Sequence, residues 1–583
     1  MLNSLLLMRR FPSLLVAALL LAWAAPSQGK PLRIASVQME LSNRIEDNLS
    51  RILRGIEEAR VAGARVVVFP ETALSGFDRE TIQALNWEQL TNASLRIALA
   101  ADANNLYVLY GTATESGKDR PFNSAVVIGP DGNEVFRYHK MVPEGWFEPG
   151  DRLALFKIDD VTCTMIICHD SRYPELVRLP AIAGARICFY PSYEINSLPS
   201  ALQKMEGYRA QLIARAVENG IFLVQSNGIG GVPGSEKGGI VLGHSRMVHP
   251  SGRVLVEAPA LEDTTLVEDI DPEEATRGNC LKSPRIALLS DWWNEGLARL
   301  PNLPPEPAPT SKSILSSTQV ARLGLLRGVP RKWDLESNYK VFLEGVEKAS
   351  EQGVDILITP ECWLDGYAAP DPESTPERLR EVAQDPNFSA YLKEVSALAK
   401  AKRMLICFGF TSLEGDKIYN SAGLWDREGR LIGIYHKTHL QTHDLQYAFG
   451  ESLPVWPTEY GPVGIMICAD RRWPETARAL RLQGARLILN PTYGMCHEKN
   501  EMWMRTRGYE NQCFIAFAHP EVGLVVDPKG DIAAKADTPG PDVLVCEVDL
   551  TRAKEDNHLR DRRPELYEAL VRPACAPTPT PID

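Results

Sequence analysis

Residues 48–71, NLSRILRGIEEARVAGARVVVFPE, decide the fold, because their pattern returns at residues 338–361 as NYKVFLEGVEKASEQGVDILITPE. Apolar residues spaced three or four apart predict an amphipathic helix at the start of each stretch. A glycine then ends the helix, and a short apolar run predicts a buried strand that leads directly into Pro-Glu. Strands that alternate with amphipathic helices indicate a layered α/β fold.

The repeat continues through most of the chain in the same order. Residues 123–140 match residues 420–437, and residues 165–175 match residues 465–475. The offset between matching residues grows from 361 − 71 = 290 to 468 − 168 = 300. One domain that is present twice, with small loop insertions, would produce this drift, and the period is too long for a solenoid. We therefore predict a tandem duplication.

The first 29 residues have the composition of a secretory signal peptide. Arg9 and Arg10 precede an almost wholly apolar run, and Ala22-Trp23-Ala24 fits the small-residue pattern of a cleavage site. The run is short for a membrane span, which needs about 20 apolar residues. We expect an exported protein, periplasmic or extracellular, that is free of the membrane after cleavage. An uncleaved anchor is the alternative, and the arginine pair leaves the export route open.

Prolines mark the other boundaries. Residues 301–316 contain a proline-rich stretch that predicts a stiff linker. It separates two expected domains at residues 30–300 and 317–572. The Pro/Thr-rich residues 573–583 predict a disordered tail.

Composition excludes several classes of protein. The 583 residues carry 63 Lys+Arg and 75 Asp+Glu, a net charge of −12, and 44% of them are hydrophobic. This is the composition of a globular protein, and the acidic balance argues against a nucleic-acid partner. Eleven cysteines form no CxxC pair, and the ten histidines show no metal-ligand spacing. We expect no metal and no cofactor.

Three kinds of polar residue follow apolar strands at corresponding places in both copies. Alone, a cysteine at a strand end usually belongs to the core, whereas a glutamate or lysine there usually lies in a cap, loop or surface. Their recurrence in the same order in two diverged copies instead favours one site in each copy. The residues are Glu71, Lys140 and Cys168 in the first copy, and Glu361, Lys437 and Cys468 in the second.

These three residue types suffice for acyl transfer. A cysteine sulfur can attack a carbonyl carbon, and a carboxylate can take its proton and later deliver it to a leaving amine. An ammonium group and the backbone N–H after the cysteine can stabilise the oxyanion of a tetrahedral intermediate. A thioester mechanism then needs neither a metal nor an organic cofactor.

The segments VVVFPETALSGF (66–77), FRYHKMVPEGWFEPGD (136–151) and TMIICHDSRYPE (164–175), with their second-copy counterparts, resemble the nitrilase superfamily of carbon–nitrogen hydrolases. The signature of that family is a Glu-Lys-Cys triad. The resemblance implies an α-β-β-α sandwich in each copy and hydrolysis of small amides, carbamoyl compounds or nitriles. Family members usually dimerise across one sandwich face, so the two copies are expected to pair within the chain, and a further homo-oligomer stays open.

The resemblance also implies an auxiliary carboxylate. Glu144 matches a second glutamate that many amidases of the family carry before Pro-Gly-Asp, and Glu148 is the less favoured alternative. The second copy has no glutamate at the matching place. Asp444 is its nearest substitute, which leaves an assisted water attack there in doubt.

The run after Cys468, Asp470-Arg471-Arg472-Trp473-Pro474-Glu475, is similar to that of N-carbamoyl-D-amino acid hydrolases. In those enzymes paired arginines hold the substrate carboxylate, a role that suits the guanidinium fork. The similarity implies that Arg471 and Arg472 bind substrate. The alternative is that one arginine pairs with Asp470 or Glu475 and fixes the turn.

We therefore predict an exported, cofactor-independent amidase or N-carbamoyl hydrolase. A nitrilase is the alternative within the same chemistry, and a partly or wholly non-catalytic tandem binding module is the alternative of another class. The first copy has an extended loop at residues 228–243 that the second lacks, and loops shape pockets. We expect the first site to act on neutral amides, and the second to be slower and to favour substrates with a carboxylate.

Overall fold

The computed structural model describes residues 31–231, 239–281, 319–495, 498–538, 540 and 542–563. The predicted signal peptide, linker and tail lie outside these residues. Within the described ranges, no helix combines the length and apolar character needed to cross a bilayer.

The first copy consists of these elements in chain order: β1 (Leu32–Glu40), α1 (Ile45–Val61), β2 (Val66–Val68), α2 (Arg79–Gln83), α3 (Trp87–Asn104), β3 (Tyr107–Thr114), β4 (Phe122–Ile128), β5 (Glu134–His139), β6 (Phe156–Ile158), β7 (Val161–Met165), α4 (Glu175–Ile182), β8 (Ile187–Ser192), β9 (Asn196–Ser197), α5 (Leu198–Asn219), β10 (Phe222–Gly231), β11 (Gly239–Leu242), β12 (Arg246–Val248), β13 (Val254–Glu257), β14 (Thr264–Ile270) and α6 (Gly278–Leu281).

The second copy continues with β15 (Val320–Arg327), α7 (Leu335–Glu351), β16 (Ile356–Ile358), α8 (Pro376–Val382), α9 (Ala390–Lys402), β17 (Leu405–Glu414), β18 (Lys417–Trp425), β19 (Leu431–His436), β20 (Val455–Thr458), β21 (Gly461–Ile465), α10 (Pro474–Leu482), β22 (Leu487–Pro491), α11 (Glu498–Asn511), β23 (Phe514–Ala518), β24 (Gly523–Val526), β25 (Ile532–Ala536), β26 (Asp542–Asp549) and α12 (Asn557–Arg560).

Each copy contains two sheets, which confirms the predicted fold class. In the second copy the sheets are separate, with orders β19-β18-β17-β16-β15-β26 and β20-β21-β22-β23-β24-β25. The first copy has the corresponding sheets, but β1 also pairs in parallel with β10 through Met39 and Gly228. This joins the two sheets, because β10 continues to Gly231 whereas β23 already ends at Ala518.

Alternate residues of the strands show the layers. Ile34 of β1 and Val66 of β2 are fully buried in the core between the two sheets. Ala35 and Val67, one residue further, are equally buried but pack against α1 and α3 on the outer face. Burial of both faces explains why these strands are continuous apolar runs rather than alternating ones.

The two copies pack face to face through α5 and α11. Buried arginines of each copy pair with glutamates of the other, because ions taken out of water need a close opposite charge. The crossed pairs are Arg178–Glu475 at 2.6 Å, Arg478–Glu175 at 3.3 Å, Arg215–Glu510 at 2.6 Å and Arg507–Glu218 at 2.8 Å. Pairing of the copies within one chain thus agrees with what the resemblance implies.

Arg507 of α11 gives a test of this interface. We expect Arg507→Met to lower the free energy of unfolding by about 3–5 kcal/mol, because it leaves the buried Glu218 and Glu510 carboxylates without this cation. Urea unfolding is the measurement. Arg560→Met, which removes an exposed pair with Asp556, serves as the control and should change stability by about 1 kcal/mol or less. Similar losses in both variants would contradict the prediction.

Candidate active site

Glu71 lies in the turn that follows β2 and is buried, with 1% of its surface exposed. The turn packs directly on β3, where the Gly111 N–H donates to the Pro70 carbonyl at 3.2 Å. A Cβ at position 111 would lie 2.4 Å from that oxygen, so only glycine permits the approach. Gly409 has the same relation to the Pro360 carbonyl in the second copy.

Lys140 follows β5 and connects two carboxylates. Its ammonium Nζ donates to Glu71 Oε1 at 2.7 Å and to Glu144 Oε1 at 2.9 Å. The Asn123 side-chain amide donates to the same Glu71 oxygen at 2.7 Å. The lysine side chain is fully buried, so the two acids hold its charge in one place.

The structure brings Glu144, and not Glu148, against the lysine. The Glu144 side chain is 25% exposed and is the outermost of the three charged groups. Glu148 points elsewhere and accepts a hydrogen bond from Arg120 Nε at 2.7 Å.

Cys168 begins the 3-10 turn Cys168–Arg172 after β7. Its φ of 42° is in the left-handed region that a residue with a side chain seldom adopts, which is typical of strained functional positions. The Asp170 carboxylate holds this turn against the lysine loop by accepting hydrogen bonds from Tyr138 Oη at 2.8 Å and from the Met141 N–H at 3.2 Å. Asp170 therefore fixes the cysteine relative to Lys140.

The three groups share one electrostatic environment. Burial and the negative charge of Glu71 raise the pKa of the Cys168 thiol well above its usual value, although Lys140 opposes the shift. Burial also raises the pKa of Glu71. Burial alone would lower the pKa of Lys140, but the charges of Glu144 and Glu71 raise it well above its usual value. The resting cysteine is thus a thiol beside a charged lysine.

A cavity of about 440 Å³ opens onto Cys168. Its size suits a small molecule. Aromatic and charged side chains line it together: Phe77, Asp78, Arg79, Glu144, Trp146, Cys168, His169, Arg172, Tyr190, Tyr193, Glu194, Lys204 and Tyr208.

The second copy repeats the constellation. Lys437 Nζ donates to Glu361 Oε1 at 2.7 Å and to Asp444 Oδ2 at 2.6 Å. Asn420 donates to Glu361 at 2.8 Å, as Asn123 does to Glu71. Asp444 therefore occupies the place of Glu144. Cys468 has a φ of 45° and is 6% exposed.

The two arginines after Cys468 have different surroundings. Arg471 is 1% exposed and donates to Cys468 Sγ at 3.4 Å and to Asn500 Oδ1 at 2.7 Å. Arg472 donates to Gln441 Oε1 at 2.9 Å and to Met495 Sδ at 2.9 Å. Within the described ranges neither arginine forms an ion pair with Asp470 or Glu475. Asp470 accepts a hydrogen bond from Tyr435 Oη, and Glu475 accepts one from Arg178. Their binding of a substrate carboxylate stays a prediction.

The first site has an arginine that the sequence argument did not use. Arg172, at the position of Arg472, lines the cavity and is held by side chains of the second copy. Its guanidinium lies 5.4 Å from the centroid of the Tyr509 ring and donates to His558 Nε2 at 3.1 Å. His558 Nδ1 faces the Tyr509 carbonyl at 2.7 Å, so the ring carries its proton there and accepts from Arg172 at Nε2.

His558 belongs to a segment of the second copy that lies across the first site. The Tyr173 hydroxyl donates to the Asn557 carbonyl at 3.2 Å, and Arg563 donates to the Gly150 carbonyl at 2.8 Å. Gly150 belongs to the loop that follows Lys140 and Glu144. The second copy therefore packs against residues of the first site from behind, while the cavity lining itself comes from the first copy.

Two further pairs of residues lie at the candidate sites but were not predicted from the sequence, although they recur in both copies. Asn123 and Asn420 contact the glutamates, and Asp170 and Asp470 fix the cysteine turns. All four recur at matching places in both copies, the same signal that identified the glutamate, lysine and cysteine. Across the part of the chain that the structure describes, no group of three His, Cys, Asp or Glu side chains is arranged to hold a metal ion.

Comparison with known proteins gives the family. A sequence model described as carbon–nitrogen hydrolase matches residues 33–278 and again residues 319–557. A protein of Pseudomonas protegens described as a hydrolase in the pqqF 5′ region is 30% identical over 278 residues, which cover 44% of this chain and 94% of that protein. A citrullinase of Francisella tularensis is 27% identical over 258 residues, covering 39% and 89%.

A solved structure is also similar. It is an amidase of the nitrilase superfamily from Nesterenkonia AN1, 24% identical, covering 46% of this chain and 100% of that one with a TM-score of 0.40. The relatives span almost their whole length on less than half of this chain, as one of two copies requires. The family model matches both halves of the sequence. The chain therefore belongs to the carbon–nitrogen hydrolase family and carries its domain twice.

Proposed function

We propose that this protein hydrolyses amide or N-carbamoyl groups of small molecules through a thioester on Cys168. The observation that carries the proposal is the buried Lys140 between Glu71 and Glu144, beside a cysteine in strained backbone that faces a cavity. Nothing structural requires a buried lysine, two carboxylates and a thiol together. The names of the relatives, which include a citrullinase and an amidase, support the same class of bond.

In the proposed acylation step, Cys168 Sγ attacks the carbonyl carbon while Glu71 takes the thiol proton. A raised pKa of Glu71 makes this carboxylate a stronger base than an exposed one. Lys140 stabilises the oxyanion, and Glu71 returns the proton to the leaving nitrogen. Ammonia or an amine departs, and a thioester remains on Cys168.

In the proposed deacylation step, water attacks the thioester carbonyl and Glu71 takes one of its protons. The tetrahedral intermediate then releases the acid, and the proton returns to Cys168 Sγ. Glu144 contacts Lys140 from the exposed side of the site, where it can orient the water. Asp444 has the corresponding place beside Lys437 in the second site.

For the second site we propose Glu361, Lys437 and Cys468 in the same roles, with Arg472 as the group that holds a substrate carboxylate. Among the described residues the Arg472 guanidinium donates to the neutral Gln441 and Met495 and lies 5.8 Å from the centroid of the Trp503 ring, and its buried Nε has no hydrogen-bond partner there. A buried guanidinium of this kind is suited to an anion. Arg471 adds a second positive charge next to Cys468.

Release of ammonia and formation of acid from short amides, N-carbamoyl compounds and nitriles test the proposal. We expect turnover of amides or carbamoyl compounds by the full chain. Turnover of nitriles alone would favour the nitrilase alternative. No turnover of any compound, combined with binding, would favour a tandem binding module.

We also propose that the protein is exported. The support is the amino-terminal sequence alone: the basic pair, the apolar run and Ala22-Trp23-Ala24. Sequencing the amino terminus of the mature chain, recovered outside the cytoplasm, tests it. A chain that keeps its first residues inside the cell would contradict it.

A further inference from the structure

Glu194 is a carboxylate of the first cavity that the proposed chemistry does not use. It follows β8, lines the cavity next to Cys168 and is partly exposed to it. Gln225 Nε2 donates to it at 3.2 Å and Asn227 Nδ2 at 3.4 Å. The Tyr190 hydroxyl lies 3.3 Å from it, but its single proton is closer to the Cys168 carbonyl, at 3.0 Å. These neighbours are neutral, and Glu194 has no ion pair among the described residues.

The surroundings of Glu194 make its carboxyl group a weaker acid than an exposed one. Burial raises its pKa to about 7, although the Arg246 charge opposes the shift. Arg246 itself lies 3.5 Å from Glu257, whose charge it shares with Arg209. Two neutral side-chain amides orient the carboxyl group, so it presents a prepared acceptor to the cavity.

Arg172 provides the opposite charge in the same cavity. Its contacts are two histidine nitrogens, His558 Nε2 at 3.1 Å and His169 Nε2 at 3.4 Å, and the Tyr509 ring. Burial, with the Arg172 charge, lowers the pKa of both histidines, so both are neutral. Arg172 has no carboxylate partner among the described residues, yet it lies close enough to Glu194 to lower that residue's pKa.

Glu194 and Arg172 therefore line one cavity, and neither forms an ion pair among the described residues; the charged residues Asp78, Arg79, Glu144 and Lys204 line the same cavity. We propose that the first site recognises a zwitterion, an amino acid whose side chain ends in an amide or carbamoyl group, with Glu194 on its ammonium group and Arg172 on its carboxylate. An ammonium and a carboxylate on one carbon fit a carboxyl group and a guanidinium that line the same small cavity. The inference rests on the proposed reaction at Cys168 and names its substrate class.

The second copy supports the assignment by contrast. Pro191-Ser192-Tyr193-Glu194 matches Pro491-Thr492-Tyr493-Gly494, so a glycine stands where the first site has its carboxylate. A Cβ at Gly494 would lie 3.8 Å from Cys468 Sγ, and Gly494 contributes only its carbonyl, to Arg471. The second site keeps an arginine at the position of Arg172 but has no ammonium acceptor there.

Two matched sets of compounds test the proposal, in the full chain with Cys468→Ala so that only the first site turns over. L-Glutamine is compared with glutaramic acid, which lacks the amine, and with 4-aminobutyramide, which lacks the carboxylate. L-Citrulline is compared in the same way with 5-ureidopentanoic acid and (4-aminobutyl)urea. We expect one zwitterion to exceed both its analogues in kcat/KM by about 10-fold or more, the size of one charge-assisted hydrogen bond.

Glu194→Gln keeps the shape and removes the charge. It should reduce the preference for the zwitterion over the compound without the amine by about 10- to 100-fold. Glu194→Asp, which keeps the charge, should retain part of the preference. Glu115→Gln, the same change at an exposed position, is the control and should retain all of it. Thermal melting of each variant establishes that it is folded.

The outcomes separate the two proposals. Equal turnover of a zwitterion and its analogue without the amine, or a preference that survives Glu194→Gln, would overturn the zwitterion site and leave the hydrolase intact. No turnover of any of the six compounds, nor of the wider amide and carbamoyl panel, would overturn the hydrolase itself.

Discussion

Replacing Cys168 by alanine is expected to lower kcat at the first site by about 10⁴-fold or more, measured in a chain that also carries Cys468→Ala. The substitution removes the atom that forms the thioester, so Glu71 and Lys140 have no nucleophile to assist. Acyl-enzyme should disappear at the same time. Intact-mass measurement of a reaction quenched during turnover should show the acyl group on the chain with Cys168 and not on its alanine variant.

Cys163 offers a matched control for this experiment. It lies on β7, five residues before Cys168, and is fully buried in the core. Its thiol donates to the Val161 carbonyl at 3.5 Å, and Cys163 is not among the residues that line the cavity, so substrate does not reach it. Cys163→Ala should retain the acyl adduct. Undiminished turnover after loss of Cys168 and Cys468 together would refute the thioester mechanism.

Lys140→Met should have the second largest effect, because it acts on both activity and stability. We expect kcat to fall by about 10²–10³-fold through loss of oxyanion stabilisation. We also expect the free energy of unfolding to fall by about 3–5 kcal/mol at neutral pH, since the Glu71 and Glu144 carboxylates then face each other without a cation. Urea unfolding and steady-state kinetics measure the two effects.

The pH dependence of this loss has a definite sign. The pKa of Glu71 is already raised by burial, and removal of the lysine charge raises it further. A carboxyl whose pKa is higher in the folded state contributes its full stabilisation below its unfolded pKa, and this contribution is lost as the pH rises through its folded pKa. The destabilisation by Lys140→Met should therefore be smaller at pH 5 than at pH 8.

Lys118→Met is the control for the stability measurement. Lys118 pairs with Glu148 at 3.5 Å, but its side chain is 66% exposed, so its loss should change stability by about 1 kcal/mol or less. Equal losses for Lys118→Met and Lys140→Met would mean that the buried ion cluster does not stabilise the fold.

The sequence was sufficient to single out the glutamate and lysine that are in contact in each copy, and the cysteine predicted to act with them, because duplication supplied a second example within one chain. It also located Asp444, which the structure places against Lys437 as Glu144 lies against Lys140. The predicted layers followed from apolar strands such as β2, whose residues are buried on both faces. Local patterns of this kind can be recognised in the sequence without any knowledge of tertiary contacts.

Residues whose significance depends on distant contacts could not be found this way. In the sequence Glu194 looks like an ordinary loop residue. Only the structure shows that the side chains of Gln225 and Asn227 donate hydrogen bonds to it. Arg172 lies 386 positions from His558, which positions it. No periodicity or spacing connects residues so far apart, and the joining of the two sheets through β1 and β10 was invisible for the same reason.

The structure also changes the physical reason for expecting the two sites to prefer different substrates. The sequence predicts carboxylate binding at the second site through Arg472, but Arg172 occupies the matching position in the first site. What distinguishes the sites is the pair Ser171 and Arg471, together with Glu194 and Gly494. Arg471 contacts the sulfur of Cys468, whereas Ser171 donates to Gln211.

The packing of the two copies through crossed arginine–glutamate pairs has a consequence for how this protein can change. In a dimer of identical subunits, every mutation is inherited by both sites, so neither site can specialise alone. Here each site has its own codons, while the shared interface keeps both halves folded together. The segment at residues 557–563 is an example: it belongs to the second copy but contacts residues of the first site. The matching segment of the first copy can change independently of it. Selection can therefore act on one pocket while the other retains its former preference.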